Sequence, residues 1–276
     1  MSKWRYYNHA VIPTSAPHER VDTTDIENGA LWGIYPKALL ARWTSDWDCG
    51  YETNWWYVIK DTPFDISSLK AKRRYEINRG LKSFDVRKIE NVSAYAEQLF
   101  EITCDAYEDY PKAYRPFIER ESYISSVKKW TGYDVYGAFS KEDGLLKAWA
   151  RLKPYKQYSN FEMMKSLRAQ EKLGVNAALI NGILMDYNSR LADNSYYICD
   201  GARSVNHETA FQDYLEKYFG FRKAYCKLHI EYAHKMRFVV KLLFPLRGGL
   251  RHIHSKGIIH NINSILQMEE IVRQEK

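Results

Sequence analysis

The order of segments between residues 84 and 232 constrains the fold more than any other feature of this chain. Stretches with the two-residue period of strands alternate with stretches of helical spacing in the order β-α-α-β-β-β-α-β-α-β. Such an order predicts an α/β (α+β) fold with a mixed, mostly antiparallel central sheet flanked by helices. The segments are a strand at 84–90, helices at 93–109 and 116–131, a hairpin around a turn at 141–144, a strand at 160–167, a helix opened by Gly174 and Asn176, a strand at 195–201, a helix from Thr209 and a strand at 221–232.

The two ends of the chain differ from this central part. Residues 1–30 carry prolines, Thr and Asn without a clear period, and we expect them to be mostly loop. Residues 38–60 predict two strands around a polar turn, and Asp65 or Ser67 is expected to cap a helix. The chain is therefore expected to have three parts: a β-rich extension with a basic helix at 1–83, a central domain at 84–232 and a basic helical tail at 233–276.

Positive charge is concentrated in two stretches of the chain. The net charge is +7, and the stretch from Tyr232 to Met268 has six basic residues and no Asp or Glu. Residues 70–82 hold six basic residues against one Glu. Basic surfaces of this kind suit a tRNA backbone or an anionic membrane. The candidate basic-patch residues are Arg73, Arg74, Arg79, Lys241 and Arg247.

Cysteine usage and hydropathy bear on the cellular compartment. The four cysteines, at positions 49, 104, 199 and 226, have neither metal-like nor redox spacing, so we expect free thiols in a reducing cytosol and no metal. The first seven residues are polar and aromatic, unlike a secretory leader, and the chain has no run of about 18 apolar residues. The expectation is a cytoplasmic protein.

The stretch LEKYFGFRKAY, residues 215–225, closes a helix with Gly-Phe-Arg and leads into the last strand. Together with the segment order, it resembles the GNAT acyltransferases over about 150 residues. Residues 67–90 look like the Lys/Arg-rich helix that precedes a GNAT unit in the Fem-type peptidoglycan-bridge aminoacyl transferases. Those proteins carry two GNAT units, whereas this chain has room for one complete unit with an N-terminal elaboration. The resemblance implies transfer of an acyl group to an amine, with acyl-CoA or aminoacyl-tRNA as the donor.

In GNAT proteins that use acyl-CoA, a loop after the fourth strand holds the donor. It has Gln or Arg three residues before a glycine, and Gly or Ala two residues after it, because such a loop lets backbone N–H groups approach the pyrophosphate. Here the glycine is Gly174, and Glu171 and Asn176 occupy the two other positions. Three interpretations stay open: CoA binding by Arg168, Lys172, Gly174 and Asn176, a plain helix start with Asn176 as N-cap, or an aminoacyl-tRNA donor that does not need the pattern.

Candidate catalytic side chains are concentrated after the strand at 195–201. Asp200 ends that strand, where open sheets of this kind collect ligands, or it only forms a turn before Gly201. His207 and Glu208 precede the next helix, either as catalytic groups or as solvated charge that favours the helix dipole.

Two tyrosines of the following helix are further candidates. Tyr214 and Tyr218 are four residues apart and share one helix face, for catalysis or for core packing. GNAT proteins often carry a general-acid Tyr four residues before the Gly of this helix, and Glu216 occupies that position here. A backbone N–H near residues 160–167 would polarise the carbonyl. We expect direct attack without a covalent intermediate, because no Cys-His or Ser-His-Asp order is present.

The tail from 233 to 257 mixes large apolar residues with cations, which predicts a helix lying on an anionic membrane surface or a helix docked on the domain. A membrane position would bring the chain to the inner membrane face, beside its acceptor. The expected acceptor is an amine on a cell-envelope precursor, a sugar nucleotide or a lipid-linked glycan. The alternative is a non-catalytic GNAT-derived module that binds membrane or nucleic acid through its basic patches. An open polar cleft between the fourth and fifth strands would favour the enzyme, and a filled one the alternative.

Overall fold

The computed structural model describes residues 3–110, 112, 115–193, 195–205, 210–250 and 258–275. Chain compactness gives two units. Unit 1 consists of Met1–Val58, Ala202–Ala210 and Lys223–Lys276, and unit 2 consists of Ile59–Gly201 and Phe211–Arg222. This division does not follow the sequence-based boundaries after residues 83 and 232, which stay a prediction about domains.

The regular elements are numbered in chain order. The strands are β1 (Trp4–Tyr7), β2 (Ala10–Pro13), β3 (Leu40–Ser45), β4 (Trp55–Lys60), β5 (Phe84–Lys88), β6 (Asp134–Ser140), β7 (Leu146–Pro154), β8 (Tyr158–Ser166), β9 (Tyr197–Ala202) and β10 (Arg222–Tyr232). The helices are α1 (Thr24–Glu27), α2 (Ala30–Ile34), α3 (Ala71–Ser83), α4 (Ala96–Tyr107), α5 (Arg120–Val127), α6 (Arg168–Glu171), α7 (Val175–Leu191), α8 (Ala210–Phe219), α9 (His234–Leu243), α10 (Arg247–Leu250) and α11 (Ile258–Gln274).

Unit 1 is built on strands in the order β1-β2-β3-β10-β4, to which β4 contributes its first four residues. The β1–β2 and β3–β10 pairs are antiparallel, and β2–β3 is parallel. One core cluster packs Trp4 and Val11 of the strands against Leu31 of α2. A second cluster packs strand residues against α9 and α11, and it includes Leu40, Trp55, Cys226, Leu228, Tyr232, Met236, Val240, Ile265, Leu266, Met268 and Ile271.

Unit 2 is built on strands in the order β9-β8-β7-β6-β5. The pairs from β5 to β8 are antiparallel, and β8–β9 is parallel. Val135 of β6 packs in the cluster that includes Leu99 of α4, while the ring of Tyr136 contacts Tyr187 of α7. Because successive strand residues point to opposite faces, α4 and α7 cover opposite faces of this sheet. All residues of β6 are buried as a result.

The structure confirms the predicted fold class: in each unit the sheet is mixed, mostly antiparallel and flanked by helices, and the helical tail is present. The expectation that residues 1–30 are mostly loop agrees with the structure, since more than half of the described residues there lie outside helices and strands, but the stretch also contains β1, β2, α1 and the start of α2. Asp65 caps a 3-10 turn at Ile66–Ser68, and the basic helix α3 begins only at Ala71. No helix in the described ranges is long and apolar enough to cross a bilayer.

Candidate active site

The strands β8 and β9 pair over a short stretch and then separate. Tyr158–Asn160 is in register with Tyr197–Cys199, and both strands continue beyond this ladder. At the same level β8 has a bulge against β7, which leaves Glu162 as the extra residue between Phe161 and Met163. A bulge re-aims backbone and side chains where a strand borders a site. The result is a wedge between β8 and β9 within unit 2, with the β8 backbone along one side.

Asp200 stands where this wedge begins, one residue after the last ladder position of β9. The residue is half-buried, and Gly201 after it has φ +107°, a conformation that suits glycine. Burial raises the pKa of Asp200 to about 7, and a hydrogen bond with the Gln212 side chain offsets part of that rise. A carboxyl with such a pKa takes up and releases protons near neutral pH, which suits a general acid or base.

The narrow end of the wedge is apolar. Phe161, the first β8 residue beyond the ladder, is 6% exposed, and its ring lies 5.8 Å from the Phe211 ring of α8. Leu215, one turn further along α8, is fully buried. Apolar side chains from β8 and α8 thus pack together at the level where β8 and β9 begin to separate.

The helix α3 packs against the candidate donor loop at Gly174. Gly174 has φ +83° and is the N-cap residue of α7, so the interpretation of Asn176 as N-cap is wrong. A Cβ on Gly80 of α3 would lie 2.3 Å from the Gly174 carbonyl oxygen, and a Cβ on Gly174 would lie 3.1 Å from the Glu76 carbonyl oxygen. The backbone of α3 therefore packs directly against the start of α7.

The other candidate donor-site residues are placed as follows. Arg168 forms ion pairs with Asp105 and Asp109, both at 3.3 Å, and its backbone N–H donates to Asp105. Lys172 is exposed. The Oδ1 atom of Asn176 is buried and has no hydrogen-bond partner in the described part of the chain. These candidate CoA residues are neighbours along the chain in α6, α7 and the turn between them, and their role as a CoA site stays a prediction.

The tyrosines of α8 face α3 rather than Asp200. The Tyr214 and Tyr218 rings are 5.0 Å apart, and the Arg73 guanidinium of α3 lies 5.7 Å from the Tyr218 ring centre. Burial raises the pKa of Tyr214, and the charge of Glu76 on α3 adds to the rise. Gln212, which bonds Asp200, is two residues before Tyr214 and therefore points about 200° away around the helix. The candidates His207 and Glu208 lie outside the described residues.

Comparisons with protein-family models and with curated proteins give no match for this chain. Solved structures do match. FemX aligns with a TM-score of 0.54 at 9% identity, covering 87% of this chain and 85% of that chain. The C-terminal domain (DUF2156) of a candidate lysylphosphatidylglycerol synthetase from Agrobacterium fabrum gives 0.52 at 12%, covering 86% and 82%. L-PGS from Bacillus licheniformis gives 0.51 at 13%, covering 87% and 83%.

The fold is GNAT-type and FemX-like. At these identities the likeness is one of fold. The predicted GNAT topology of residues 84–232 is confirmed, and so is the left-handed glycine that closes its last helix, since Gly220 has φ +66°.

The candidate basic-patch residues of this GNAT-type fold differ in how they are held. Arg74 donates to the carbonyls of Ser67 and Leu69, both at 2.9 Å, so it fixes the chain before α3. Arg247 pairs with Glu270 at 3.0 Å. Arg79 and Lys241 are exposed.

The helix α3 carries an exposed stripe that was not predicted from the sequence. Lys72, Tyr75, Arg79 and Lys82 are all exposed, and Tyr75 is 64% exposed. Their spacing of three, four and three residues places them on one helix face, opposite the buried Ile77 and Gly80. The spacing was readable from the sequence as a helical period.

The structure also brings together a serine and a histidine that the sequence keeps far apart. In unit 1, Ser45 Oγ lies 2.7 Å from His229 Nε2, on the neighbouring strands β3 and β10. The Trp43 ring stacks on His229 at 5.3 Å. Sequence order gave no signal for this pair, because the register of two strands creates it.

Proposed function

We propose that this chain is an aminoacyltransferase that moves an aminoacyl group from aminoacyl-tRNA to an amine, by direct attack in the wedge between β8 and β9. The observation that carries this proposal is Asp200, whose burial holds its pKa at about 7 where β8 and β9 begin to separate. The GNAT-type, FemX-like fold supports it, because the resemblance to Fem-type proteins implies this class of reaction.

The choice of aminoacyl-tRNA over acyl-CoA rests on α3. Its backbone packs on the start of α7, where Gly80 and Gly174 are in close contact, and this packing supports a donor other than CoA. The opposite face of the same helix offers the α3 stripe of Lys72, Tyr75, Arg79 and Lys82. Three cations beside an exposed aromatic ring suit an RNA backbone and one unpaired base.

In the proposed reaction the acceptor amine attacks the carbonyl carbon of the aminoacyl ester. A C–N bond forms, the ester C–O bond breaks, and the ribose hydroxyl leaves with a proton. The ionised Asp200 carboxylate takes the proton that the attacking nitrogen loses and gives it to the leaving ribose oxygen, so the carboxylate is ionised again at the end. A backbone N–H along the β8 bulge would donate to the carbonyl oxygen as it gains negative charge.

The proposed acceptor is an amine on a cell-envelope precursor, a sugar nucleotide or a lipid-linked glycan. The resemblance to Fem-type peptidoglycan-bridge proteins supports an envelope precursor. One compared structure belongs to a candidate lysylphosphatidylglycerol synthetase, a name that refers to an aminoacylated lipid. We place this acceptor at the inner membrane face as part of the proposal.

The second candidate is a non-catalytic GNAT-derived module that binds nucleic acid or membrane. The apolar filling by Phe161 and Phe211 favours it, because this filling leaves less room at the narrow end of the wedge. The two candidates differ in turnover and agree in binding through the basic surfaces.

The test is transfer of label from bulk tRNA charged with radiolabelled amino acids into a bacterial envelope extract. We expect transfer by the wild type and a loss of about 10²–10⁴-fold in Asp200→Asn, the range for removing a general base. The matched control is Asp213→Asn, which removes an exposed carboxylate from α8. Calorimetric titration with acetyl-CoA is expected to show no saturable binding. Saturable CoA binding that Lys172→Ala weakens would contradict aminoacyl-tRNA as the donor. Binding of tRNA without any transfer would favour the non-catalytic module.

The protonation of Asp200 has its own readout. As a base, Asp200 must be ionised, so kcat/KM is expected to rise with pH up to about 7 and then level off. The same group affects stability: a carboxyl with a raised folded pKa stabilises the fold below pH 4, and this stabilisation is lost as pH rises through 7. Relative to Asp200→Asn, the wild type should lose roughly 2–4 kcal/mol of unfolding free energy between pH 5 and pH 9. Urea titrations of both proteins at several pH values measure this change. If the difference between their unfolding free energies did not vary with pH, the pKa of Asp200 would not be raised in the folded state.

A further inference from the structure

The helix α9 exposes an apolar stripe on the side away from the core of unit 1. Its core side is formed by Met236 and Val240, both buried in a cluster with β10 and α11. On the outer side Phe238 is 69% exposed and Leu242 is 73% exposed, and Leu246 in the following 3-10 turn is 58% exposed. These three residues follow one another at intervals of four, so they form one continuous stripe.

The charges at the border of this stripe are positive. Lys235 and Lys241 are exposed, and neither forms an ion pair with another residue that the structure describes. The neighbouring cations are already engaged, since Arg237 pairs with Glu231 and Arg247 with Glu270. The α9 stripe, defined by Phe238, Leu242 and Leu246, is thus bordered by two lysines whose charge has no internal partner within the described ranges.

We propose that the α9 stripe with Lys235 and Lys241 binds an anionic lipid surface. Large apolar side chains enter the boundary between headgroups and acyl chains, and lysines beside them reach the phosphates. A second copy of this chain fits the stripe less well, because two identical stripes would bring lysines close to lysines. Lipid binding by this stripe is separate from the transfer reaction, because all of its residues belong to unit 1 and its test measures lipid binding alone.

The test is co-sedimentation of the whole chain with vesicles of phosphatidylcholine, with and without phosphatidylglycerol. We expect binding to the anionic vesicles at low salt that weakens as salt is added. The double variant F238S/L242S should lower the partition coefficient by about tenfold or more, because both large apolar groups are lost. The matched control is Phe117→Ser, which removes a 92% exposed aromatic ring from unit 2 and should leave binding unchanged.

A second variant separates charge from apolar insertion. K235Q/K241Q should weaken binding to the anionic vesicles by about tenfold or more and leave the weak binding to neutral vesicles as it is. The proposal is overturned if the wild type does not pellet at low salt, or if F238S/L242S pellets like the wild type. Sedimentation velocity adds one more outcome that overturns it: a dimer that F238S/L242S dissociates would assign the stripe to a second copy of the chain.

Discussion

The helices α3 and α9 are both rich in Lys and Arg, yet their exposed faces differ in chemical character. The α3 stripe exposes three cations around one tyrosine, whereas the α9 stripe exposes three large apolar residues with two lysines at the border. On α3 the apolar and small residues Ile77 and Gly80 are buried. A basic composition alone therefore does not specify the binding partner. The residues on the exposed face of each helix specify it.

The largest effect is expected where α3 is packed most closely. Gly80→Ala would place a Cβ 2.3 Å from the Gly174 carbonyl oxygen and 3.0 Å from the Ala178 Cβ. The overlap should lower the unfolding free energy by about 3 kcal/mol, more than the roughly 1 kcal/mol by which Ala favours a helix over Gly. Thermal melting of the variant measures the loss.

The matched control for this prediction is Gly248→Ala in α10, where an added Cβ meets nothing within 4 Å. It should melt at the wild-type temperature or slightly above. If Gly80→Ala behaved in the same way, α3 would not pack on the start of α7, and acyl-CoA would regain its place as the donor.

The second effect concerns phosphate contacts of the α3 stripe. K72Q/R79Q/K82Q should weaken binding of bulk tRNA by about 100-fold at moderate salt, and reduce the slope of log affinity against log salt by about 2–3. K128Q/K129Q/K156Q removes the same charge from exposed positions elsewhere in unit 2 and should change affinity by about threefold at most. An unchanged salt slope in the α3 variant would show that RNA binds elsewhere.

A smaller effect separates stacking from charge on α3. Tyr75→Ala should weaken tRNA binding by about tenfold, because base stacking on an exposed ring contributes about 1–3 kcal/mol. Since no charge is removed, the salt slope should stay the same. The measurement is a salt titration by fluorescence anisotropy, with Tyr155→Ala as the control at another exposed tyrosine of unit 2. A slope that fell with Tyr75→Ala would mean that the variant disturbs the cations as well.

The smallest effects are expected when the variant of each helix is tested in the binding assay of the other helix. F238S/L242S on α9 should leave tRNA affinity within about twofold, and K72Q/R79Q/K82Q on α3 should leave vesicle partition within about twofold. Both assays use the same two proteins, so each variant serves as the control for the other. Loss of both activities in either variant would show one shared basic surface and remove the distinction between the two helices.

The sequence predicted the elements of this fold better than its site, for physical reasons. The order of strands and helices depends on local periods, and Gly220 could be placed because a helix end needs a left-handed residue. The strands β1 and β2 have four residues each, too few for a period to be distinguished from loop, and only pairing defines them.

The properties of the candidate site depend on distant residues. Asp200 was identified as a candidate from its position at a strand end, but its raised pKa comes from burial in the folded unit, which the sequence does not show. The contact of Gly80 with Gly174 joins residues on two helices, and only the packing of α3 on α7 reveals it. The hydrogen bond of Ser45 with His229 spans 184 positions and follows from strand register.

The way the chain is shared between the two units sets an order for their folding during synthesis. Unit 2 has received its last segment once Arg222 has left the ribosome. The second cluster of unit 1 joins Leu40 and Trp55 with Ile265 and Ile271, so the first strands of this unit wait for more than 200 further residues before that core can close. At typical synthesis rates of about 5–20 residues per second, those strands stay without their core partners for about 10–40 s. We expect chaperone binding mainly in this period, because the apolar side chains of the strands are still exposed.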